Sequence, residues 1–448
     1  MARPSVRRSV ARRALARSLV LSVVALTAPH GEVRADERCS PAEHKLICPD
    51  ANPACPAGPG PAASAWPLFQ HDAQHTGQSA VDGPACNHVV WRWSGGDAFL
   101  SAPSVGADGT IYVGDARFPV CAIDPATGTS RWCQTDQEGR LADRSSPAAS
   151  ADGTVYIGTR DNDLWAIAAQ LAPPPPVLWR QKVCTDGDIT TSPSIGPDGV
   201  VYMGSDSLGA GWFFAMCPGA TRQVKWCTQL GGGVKNVSAA LSPDGGTVYV
   251  TTRGTTLHAL DAATGAERWR RLLERRPNAA RWPNYTPVVH PTSGTIYVAF
   301  DSGLFAVTPD GSVTLLFASG RLQMESPPAL AADGTLYVGA SRGTTSTFYA
   351  IRPDGSVRWS YPIPPGAGRF RNNQAVIGAD GTVYVAVKNK VYAFTPDGDG
   401  SGNGVVLWRF DEASSVFQSS PIIGAPGRLY VGSGDPIAPV LYAIGDCP

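Results

Sequence analysis

Two groups of residues in this sequence have the types and spacing of metal ligands. The first lies in the stretch 397–403, which alternates glycine with four oxygen-bearing residues: Asp397, Asp399, Ser401 and Asn403. Calcium-binding loops place the ligands of their first half at such alternate positions and complete the site with a bidentate acid at the twelfth. The twelfth position here is Trp408. The pattern therefore favours a Gly- and Asp-rich hairpin turn, with a calcium site as the alternative.

The second group consists of His71, Asp72 and His75. On a helix, histidines four positions apart would share one face and could bind a metal. No helical spacing of apolar residues surrounds them, so we expect a structural role in an irregular segment. Nucleophilic catalysis is not indicated either, because His258 and His290, further along the chain, belong to no nucleophile motif.

Residues 1–35 have the features of a secretion signal: a basic beginning, a short apolar run at 19–28 and a small residue, Ala35, at the end. The run is too short to span a bilayer, and no later stretch is long and apolar enough. This segment holds seven of the 37 basic and one of the 37 acidic residues, so the remaining chain has a net charge of −6. That charge disfavours nucleic acid as a partner. We expect a periplasmic or secreted protein without a transmembrane segment.

The rest of the chain repeats a unit of 40 to 48 residues. A turn of the Asp-Gly kind followed by a tyrosine-containing strand recurs at Tyr112, Tyr156, Tyr202, Tyr249, Tyr297, Tyr337, Tyr384 and Tyr430. Most units end on a tryptophan, namely Trp132, Trp179, Trp226, Trp269, Trp359 and Trp408, while the fifth carries Leu315 at that place. Short strands with this period predict an all-β fold, an eight-bladed β-propeller of four-stranded antiparallel blades.

The unit resembles the repeat of the pyrroloquinoline-quinone-type (PQQ-type) propeller family. The signature of that repeat, Asp-x-x-Thr-Gly-x-x-x-Trp, is matched by Asp124, Thr127, Gly128 and Trp132, and again at 261–269. The segment 66–77 also resembles the arm that commonly precedes such propellers. The resemblance covers residues 66–448 and implies the fold. Because the family includes quinoprotein dehydrogenases and non-catalytic scaffolds, it does not select a function.

These patterns divide the chain into a signal peptide (1–35), a Cys- and Pro-rich leader (36–65) and the propeller (66–448). The last unit ends at Pro448 without a fourth strand, whereas the segment 89–93, Val-Val-Trp-Arg-Trp, precedes the first unit without partners. We predict that this N-terminal strand completes the last blade and removes its open edge.

Ten cysteines follow the signal, an even number that favours disulfides in an exported protein. Two pairs flank equivalent hairpin turns and are expected to join adjacent strands: Cys121 with Cys133, and Cys217 with Cys227. Aligning the N-terminal strand with the repeat brings Cys86 and Cys447 to consecutive places in the missing turn of the last blade, which predicts a third disulfide. The other cysteines allow three pairings: Cys39, Cys48, Cys55 and Cys184.

Loops that precede the innermost strand of each unit should surround one mouth of the propeller. Five polar or aromatic residues stand just before such strands: Arg144, Tyr285, Glu325, Asn373 and Gln418. We expect them to face a common funnel, either as a binding site or as a solvated polar rim.

Together these features predict an exported, monomeric binding or scaffolding propeller without a catalytic centre. Its expected partner is another envelope or extracellular protein, or a polysaccharide. The first alternative is a PQQ- and calcium-dependent quinoprotein dehydrogenase. The adjacent cysteines typical of that family are missing and the lean blades leave little chain for a cofactor pocket, so we do not expect PQQ to bind. The second alternative is a carbohydrate-acting propeller, indicated by one sialidase-like turn at 242–247.

Overall fold

The computed structural model describes residues 54–56, 58–95, 101–114, 118–134, 145–159, 163–182, 189, 191–206, 211–220, 222–274, 285–370, 373–412, 416–417, 419–434 and 439–447. Some features of the sequence lie outside these ranges: the signal segment, Cys39, Cys48, Cys184, Arg144 and Gln418.

The described residues form eight antiparallel β-sheets, each of which is one blade of a β-propeller. The predicted fold class is therefore confirmed. Seven sheets have four strands, and the sixth blade has an additional short strand that pairs with its second strand. Within the described ranges there is no helix, and so none that could cross a membrane.

The strands of the first four blades are β2 (Ser104–Val105), β3 (Ile111–Val113), β4 (Cys121–Ile123), β5 (Ser130–Cys133), β6 (Ala148–Ala149), β7 (Thr154–Gly158), β8 (Asp163–Ala168), β9 (Val177–Lys182), β10 (Ser194–Ile195), β11 (Val201–Gly204), β12 (Trp212–Met216), β13 (Val224–Gln229), β14 (Ala240–Leu241), β15 (Thr247–Thr251), β16 (Thr256–Asp261) and β17 (Glu267–Leu272). Those of blades five to seven are β18 (Val288–Val289), β19 (Ile296–Phe300), β20 (Gly303–Val307), β21 (Val313–Ala318), β22 (Gln323–Met324), β23 (Ala329–Leu330), β24 (Leu336–Arg342), β25 (Thr345–Ile351), β26 (Val357–Ile363), β27 (Val376–Ile377), β28 (Val383–Val387), β29 (Lys390–Phe394) and β30 (Val406–Asp411). Blade eight consists of β31 (Ile422–Ala425), β32 (Arg428–Gly432), β33 (Leu441–Gly445) and β1 (His88–Trp93).

Burial decreases from the innermost to the outermost strand of a blade. In blade four, β14 and β15 are buried throughout, whereas β17 alternates between exposed and half-buried residues. The inner strands are apolar on both faces because neighbouring blades cover both. In seven blades the repeated tyrosine of the second strand packs on an outer-strand tryptophan, with ring centroids 5.5–6.1 Å apart.

The Asp-x-x-Thr-Gly signature forms the turn between the third and outermost strands. In blade four, Asp261 Oδ1 accepts hydrogen bonds from the backbone amides two and three residues later, at 3.1 and 2.9 Å. Gly265 has a φ of 73° and lies against Trp226 of blade three, so that a Cβ there would be 2.5 Å from the ring. Trp226 Nε1 also donates to the carbonyl of Ala262 at 2.9 Å. The signature therefore joins neighbouring blades as well as turning the chain.

The N-terminal strand β1 closes the ring, as predicted. It pairs antiparallel with β33 and places Trp91 opposite Ala443, the register that other outer-strand tryptophans have within their own blades. The indole of Trp91 stacks on Tyr430 at 5.5 Å. A disulfide between Cys86 and Cys447 joins the residues just before β1 to those just after β33, where the other blades have a continuous turn.

The pairing predicted for Cys217 is wrong. In blade one, Cys121 and Cys133 lie directly opposite each other and are bonded. In blade three the strand register places Cys227 opposite Phe214, whereas Cys217 lies three residues further along, past the end of the paired strand. Cys217 instead forms a disulfide with Cys55 of the leader. Cys217 and Cys227 lie in the same hairpin but are not directly opposite each other. A cross-strand disulfide requires directly opposite positions, because only these bring the two sulfurs close enough.

Blade five departs from the repeat at its outermost strand. Thr314, not Leu315, stands opposite Ala306, at the place where other blades have their tryptophan. In blade four the β-bulge comes just before the tryptophan, whereas in blade five it lies two residue pairs further along the strand, between the Phe305 and Leu304 pairs. Leu315 is 50% exposed. Without a tryptophan to define the register, the strand has shifted by one residue from the position that the sequence alignment predicts.

Candidate functional site

Hydroxyl groups link the blades around one end of the propeller. We call this end, where the innermost strands begin, the mouth, and the opposite end the base. Two residues before the innermost strand, a backbone amide donates to the side-chain hydroxyl at the same place in the next blade: Ala102 to Ser146 (3.0 Å), Ser146 to Ser192 (2.9 Å), Ser238 to Thr286 (3.2 Å) and Gln374 to Ser420 (3.0 Å). The hydroxyls of the repeated strand starts therefore hold the blades together.

One position earlier in the chain, a side chain braces its own blade. The hydroxyl there accepts a hydrogen bond from a backbone amide of the second strand: Ser145 from Gly158 (3.0 Å), Ser326 from Gly339 (2.9 Å) and Ser419 from Gly432 (2.7 Å). Tyr285 and Asn373, which the sequence pattern assigned to the funnel, occupy this bracing position. Their place in the repeat thus already has a structural role.

Both residues are buried, at 6% exposed for Tyr285 and 1% for Asn373. The Tyr285 ring packs on Phe300 at 4.2 Å, and its hydroxyl donates to Asp301 Oδ1 at 3.3 Å. The Asn373 amide donates to the carbonyls of Ala386 and, in the next blade, of Phe417 at 3.3 and 3.2 Å. Neither side chain lines an open funnel in the described structure, and a binding role for them stays a prediction.

Glu325 is the third described funnel residue and is partly accessible, with 14% of its side chain exposed. Its Oε1 pairs with the guanidinium of Arg369, which comes from the loop at the end of the same blade. Its Oε2 is buried and has no hydrogen-bond donor among the described residues. The carboxylate is therefore neutralised on one side and retains an acceptor on the other.

Sequence reasoning missed a second charged cluster at the mouth, centred on Asp206. Lys235 Nζ lies 3.0 Å from Asp206 Oδ2, and the guanidinium of Arg253 contacts the same oxygen. Only 7% of the Asp206 side chain is exposed. The three residues come from two blades and are far apart in sequence, so no local sequence motif predicts the cluster. The single carboxylate of Asp206 thus contacts two cationic side chains.

The N-terminal arm closes the base of the propeller across its axis. Its backbone carbonyls accept hydrogen bonds from innermost-strand amides of six blades: Trp66 from Val105, Pro67 from Ala149, Ala73 from Leu241, Gln74 from Val289, Thr76 from Leu330 and Gly77 from Ile377, at 2.7–2.9 Å. A segment of 12 residues that reaches six blades must cross the axis. The sequence resemblance identified this arm but not its position.

The His71, Asp72 and His75 group shapes the arm. Asp72 Oδ1 accepts hydrogen bonds from the amides of Gln74 and Thr76, both at 3.0 Å, and His71 Nδ1 lies 3.2 Å from Asp72 Oδ2. Burial raises the pKa of Asp72, but the hydrogen bonds from His71 and Thr76 outweigh burial and the pKa is lowered. The expected structural role in an irregular segment agrees with these contacts.

His75 is buried on the axis, with Nδ1 3.3 Å from the carbonyl oxygen of Pro287 and Nε2 3.4 Å from Ser194 Oγ. Burial lowers its pKa to about 4, against the opposing effects of the Asp72 charge and the Pro287 carbonyl. The imidazole is therefore neutral in the folded protein at pH values where it is protonated in the unfolded chain.

We expect the protein to lose stability as the pH falls from 6.5 to 4. The pKa of His75 is lower in the folded than in the unfolded state. The contribution of its neutral imidazole to stability is therefore complete above pH 6.5 and is lost as the pH falls through this window. A shift of this size corresponds to roughly 3 kcal/mol of unfolding free energy. Urea unfolding measures the free energy of unfolding at pH 7 and at pH 4.5. The decrease between these two pH values should be smaller for His75→Gln than for the wild type. An unchanged difference would contradict the assignment, and His290→Gln, in an exposed turn, is the control.

The stretch 397–403 forms a turn whose oxygens are used internally. Asp399 Oδ1 accepts hydrogen bonds from the amides of Ser401 and Asn403 at 2.8 and 3.0 Å, and Asn403 Nδ2 donates to Asp399 Oδ2 at 2.8 Å. The Asn403 side chain and these amides hold the pKa of Asp399 below its ordinary value. Asp397 is paired with Arg358. Both carboxylates are engaged within the protein, which favours the hairpin-turn interpretation, and a calcium site at this turn stays a prediction.

The same turn covers the outer edge of blade six. Ser360 of β26 exchanges two backbone hydrogen bonds with Gly402 and Gly404, each 3.0 Å long. The ring of Trp359 lies beneath Gly398 and Gly404. Across the described chain, no group of three or more His, Cys, Asp or Glu side chains is placed to hold a metal ion. The turn thus shields a strand edge.

The comparisons with known proteins agree with this architecture. The family model described as outer membrane protein assembly factor BamB matches residues 79–207 and 176–321, which together span more than half of the chain. No curated protein sequence matches the chain significantly.

Solved structures of two functional kinds are similar to this chain. The quinohemoprotein alcohol dehydrogenase from Comamonas testosteroni aligns over 85% of this chain and 80% of its own, with 16% identity and a TM-score of 0.66. BamB from Moraxella catarrhalis aligns over 80% of this chain and 99% of its own, with 18% identity and a TM-score of 0.61. A europium-containing methanol dehydrogenase aligns over 87% and 98%, with 15% identity and a TM-score of 0.61. At these identities the likeness concerns the fold alone.

Proposed function

Because this chain belongs to the PQQ-like β-propeller family, we propose that it is an exported propeller that binds a partner at its mouth and has no catalytic centre. Its place is the periplasm or the outside of the cell. Its partner is another envelope or extracellular protein, or a polysaccharide. Family membership leaves scaffold and dehydrogenase open, so the choice rests on the chemistry of the mouth.

The observation that carries the proposal is the pairing of carboxylates at the mouth. A quinone-dependent dehydrogenase needs a carboxylate that can accept a proton, and further oxygen ligands to hold the metal ion next to the quinone. Three described carboxylates here have partners: Asp206 pairs with Lys235 and Arg253, Glu325 pairs with Arg369, and Asp301 accepts from the Tyr285 hydroxyl and the Gln323 amide. The second oxygens of Asp206 and Glu325 are buried without a described donor, but the cations beside both carboxylates oppose a metal ion there. Such a set does not fit a metal–quinone pair and suits recognition of a charged partner.

The closed base supports the same assignment. Because the N-terminal arm crosses the axis there, with Trp66, Leu68 and His75 at most 1% exposed, the described residues block the axis at the base, and we expect a ligand to approach from the mouth. The mouth is also where loops on a rigid scaffold are free to present contacts.

A cofactor titration tests the catalytic alternative. We expect the purified protein with PQQ and calcium to show no change in quinone absorbance and no alcohol-dependent reduction of a redox dye. Dye reduction that is abolished by both Asp301→Asn and Glu325→Gln would overturn the proposal and establish the dehydrogenase alternative.

A matched pair of charge reversals tests the location of the partner site. Arg342, the last residue of β24, is exposed at the mouth, and Arg352, which follows β25, is exposed at the base. In affinity capture from the envelope fraction, Arg342→Glu is expected to reduce recovery of the partner, and Arg352→Glu to leave it unchanged. Equal recovery with both variants would contradict binding at this part of the mouth.

A further inference from the structure

We propose that β21, the outermost strand of blade five, binds an extended segment of a partner protein as an additional β-strand. The inference rests on the proposed binding function and adds to it a second surface, the outer rim, with one class of partner. An exposed strand edge presents unpaired backbone donors and acceptors, and proteins protect such edges with charged residues, bulges or covering loops.

β21 lacks the protection that every other outermost strand in the described structure has. Its sequence is Val-Thr-Leu-Leu-Phe-Ala, without charge and without tryptophan. The outermost strands of the other seven blades each contain a tryptophan and a basic residue, among them Arg92, Arg131, Arg180, Lys225, Arg268, Arg358 and Arg409. An uncharged strand of six residues with high β-propensity is a template for strand addition.

The change in blade five extends beyond the loss of one basic residue. In blades one and six, the basic residue before the tryptophan pairs with an aspartate in the first turn of its own blade: Arg131 with Asp108 at 3.1 Å and Arg358 with Asp333 at 2.7 Å. Blade five has Ser293 at the place of this aspartate, and its turn is capped by His290 Nδ1, which accepts from the amide of Thr292 at 3.2 Å. Both members of the ion pair are therefore replaced together.

The outer edge of β21 is also open to pairing. Val313 and Leu315 are 41% and 50% exposed. In the described structure, the backbone of β21 is hydrogen-bonded to its neighbour β20 and to no described residue on its other side. The turn at Gly355 of blade six lies against the carbonyl oxygen of Leu316, so the open part of the edge is its first half, at Val313 and Leu315. The adjacent blade six is different, because the stretch 402–404 pairs with Ser360 on its edge.

The size of the edge favours a peptide segment over a second copy of this chain. Six residues extend over about 20 Å, and a strip of this length offers much less than the roughly 800 Å² that each partner buries in a stable protein–protein interface. An extended segment gains main-chain hydrogen bonds along the strand and needs no further surface.

Charge next to the strand indicates the sequence of that segment. Arg271 Nε donates to the carbonyl of Gly311 at 2.8 Å, beside the beginning of β21. The Asp310 carboxylate in this turn accepts hydrogen bonds from Thr308 and Ser312. An antiparallel segment would end near Arg271. The fitting partner strand therefore has apolar or β-branched residues and an acidic residue at its C-terminal end.

The test uses a soluble fluorescent peptide of alternating valine and threonine that ends in aspartate, with fluorescence anisotropy as the readout. The wild type is expected to bind it, and Leu315→Lys to bind at least about tenfold more weakly, since a charge of this kind on the edge costs about 1.4 kcal/mol or more. The matched control is Leu407→Lys, because Leu407 is 53% exposed on β30, a strand that already contains Arg409. A peptide with alternate N-methylated backbone amides should not bind.

Three results would overturn the inference. These are no binding by the wild type, equal binding by Leu315→Lys, or a wild-type dimer in sedimentation that Leu315→Lys dissociates, which would make a second copy the occupant. Failure of the proposed function is distinguishable, because it would show as dye reduction with PQQ, whereas failure of this inference leaves mouth-dependent partner capture intact.

Discussion

Replacing both Cys86 and Cys447 by serine is expected to lower the free energy of unfolding by about 5–6 kcal/mol. The bond joins residues 361 apart in sequence, and in the chain-entropy model the stabilisation grows with the length of the closed loop. The bond also holds β1 on β33, so its loss frees the strand that closes the ring and exposes the edge of blade eight. Urea unfolding followed by tryptophan fluorescence measures the loss.

The control is the double replacement Cys121→Ser with Cys133→Ser. This disulfide spans only 12 residues and joins strands that already pair within blade one. The same model predicts a loss of about 3 kcal/mol. Equal losses for the two double variants would contradict a stabilising role of ring closure.

The second largest effect is expected for Trp359→Ala, at about 4 kcal/mol, the range for removal of a large buried side chain. Trp359 is fully buried in blade six. Its ring lies 5.7 Å from that of Tyr337, and its Nε1 donates to the carbonyl of Pro396 in blade seven at 2.9 Å. Truncation would leave a cavity between two blades and beneath the turn 397–403.

Trp269→Ala is the matched comparison, because Trp269 has the same place in blade four and donates an equivalent hydrogen bond, to the carbonyl of Pro309 at 2.8 Å. Its ring is half-buried, and within the described ranges no turn covers it as 397–403 covers Trp359. We expect about half the loss of Trp359→Ala, measured from denaturation midpoints at constant slope. If both variants lose the same stability, the covering turn contributes nothing.

The fold could be predicted because its signals are local and repeated. Tyrosine on the second strand recurs every 40 to 48 residues and a tryptophan follows it in most units, and each blade needs the next to bury its faces. The position of β1 followed from the same repeat. The eighth unit lacks its fourth strand, and β1 lies ahead of the first unit without partner strands, so the two complete one blade. Where the repeat loses its tryptophan, in blade five, the alignment placed Leu315 one residue away from the observed register.

The candidate site was less predictable, because position along the chain does not report what a side chain contacts. Tyr285 and Asn373 precede innermost strands as expected, but they are buried and brace their own blades. The Asp206 cluster brings together residues from two blades, and a search for local motifs cannot find such a group.

The sequence by itself determined the blade count, the closing strand and the Cys86–Cys447 pair, because periodicity specifies which strands are equivalent. Only the tertiary structure decided which residues meet across blades. It brought Cys217 to Cys55 instead of Cys227, placed the N-terminal arm across the base and used the turn 397–403 to cover blade six. These contacts join segments far apart in sequence, and their geometry depends on strand register and on the packing of neighbouring blades, which a linear pattern does not contain.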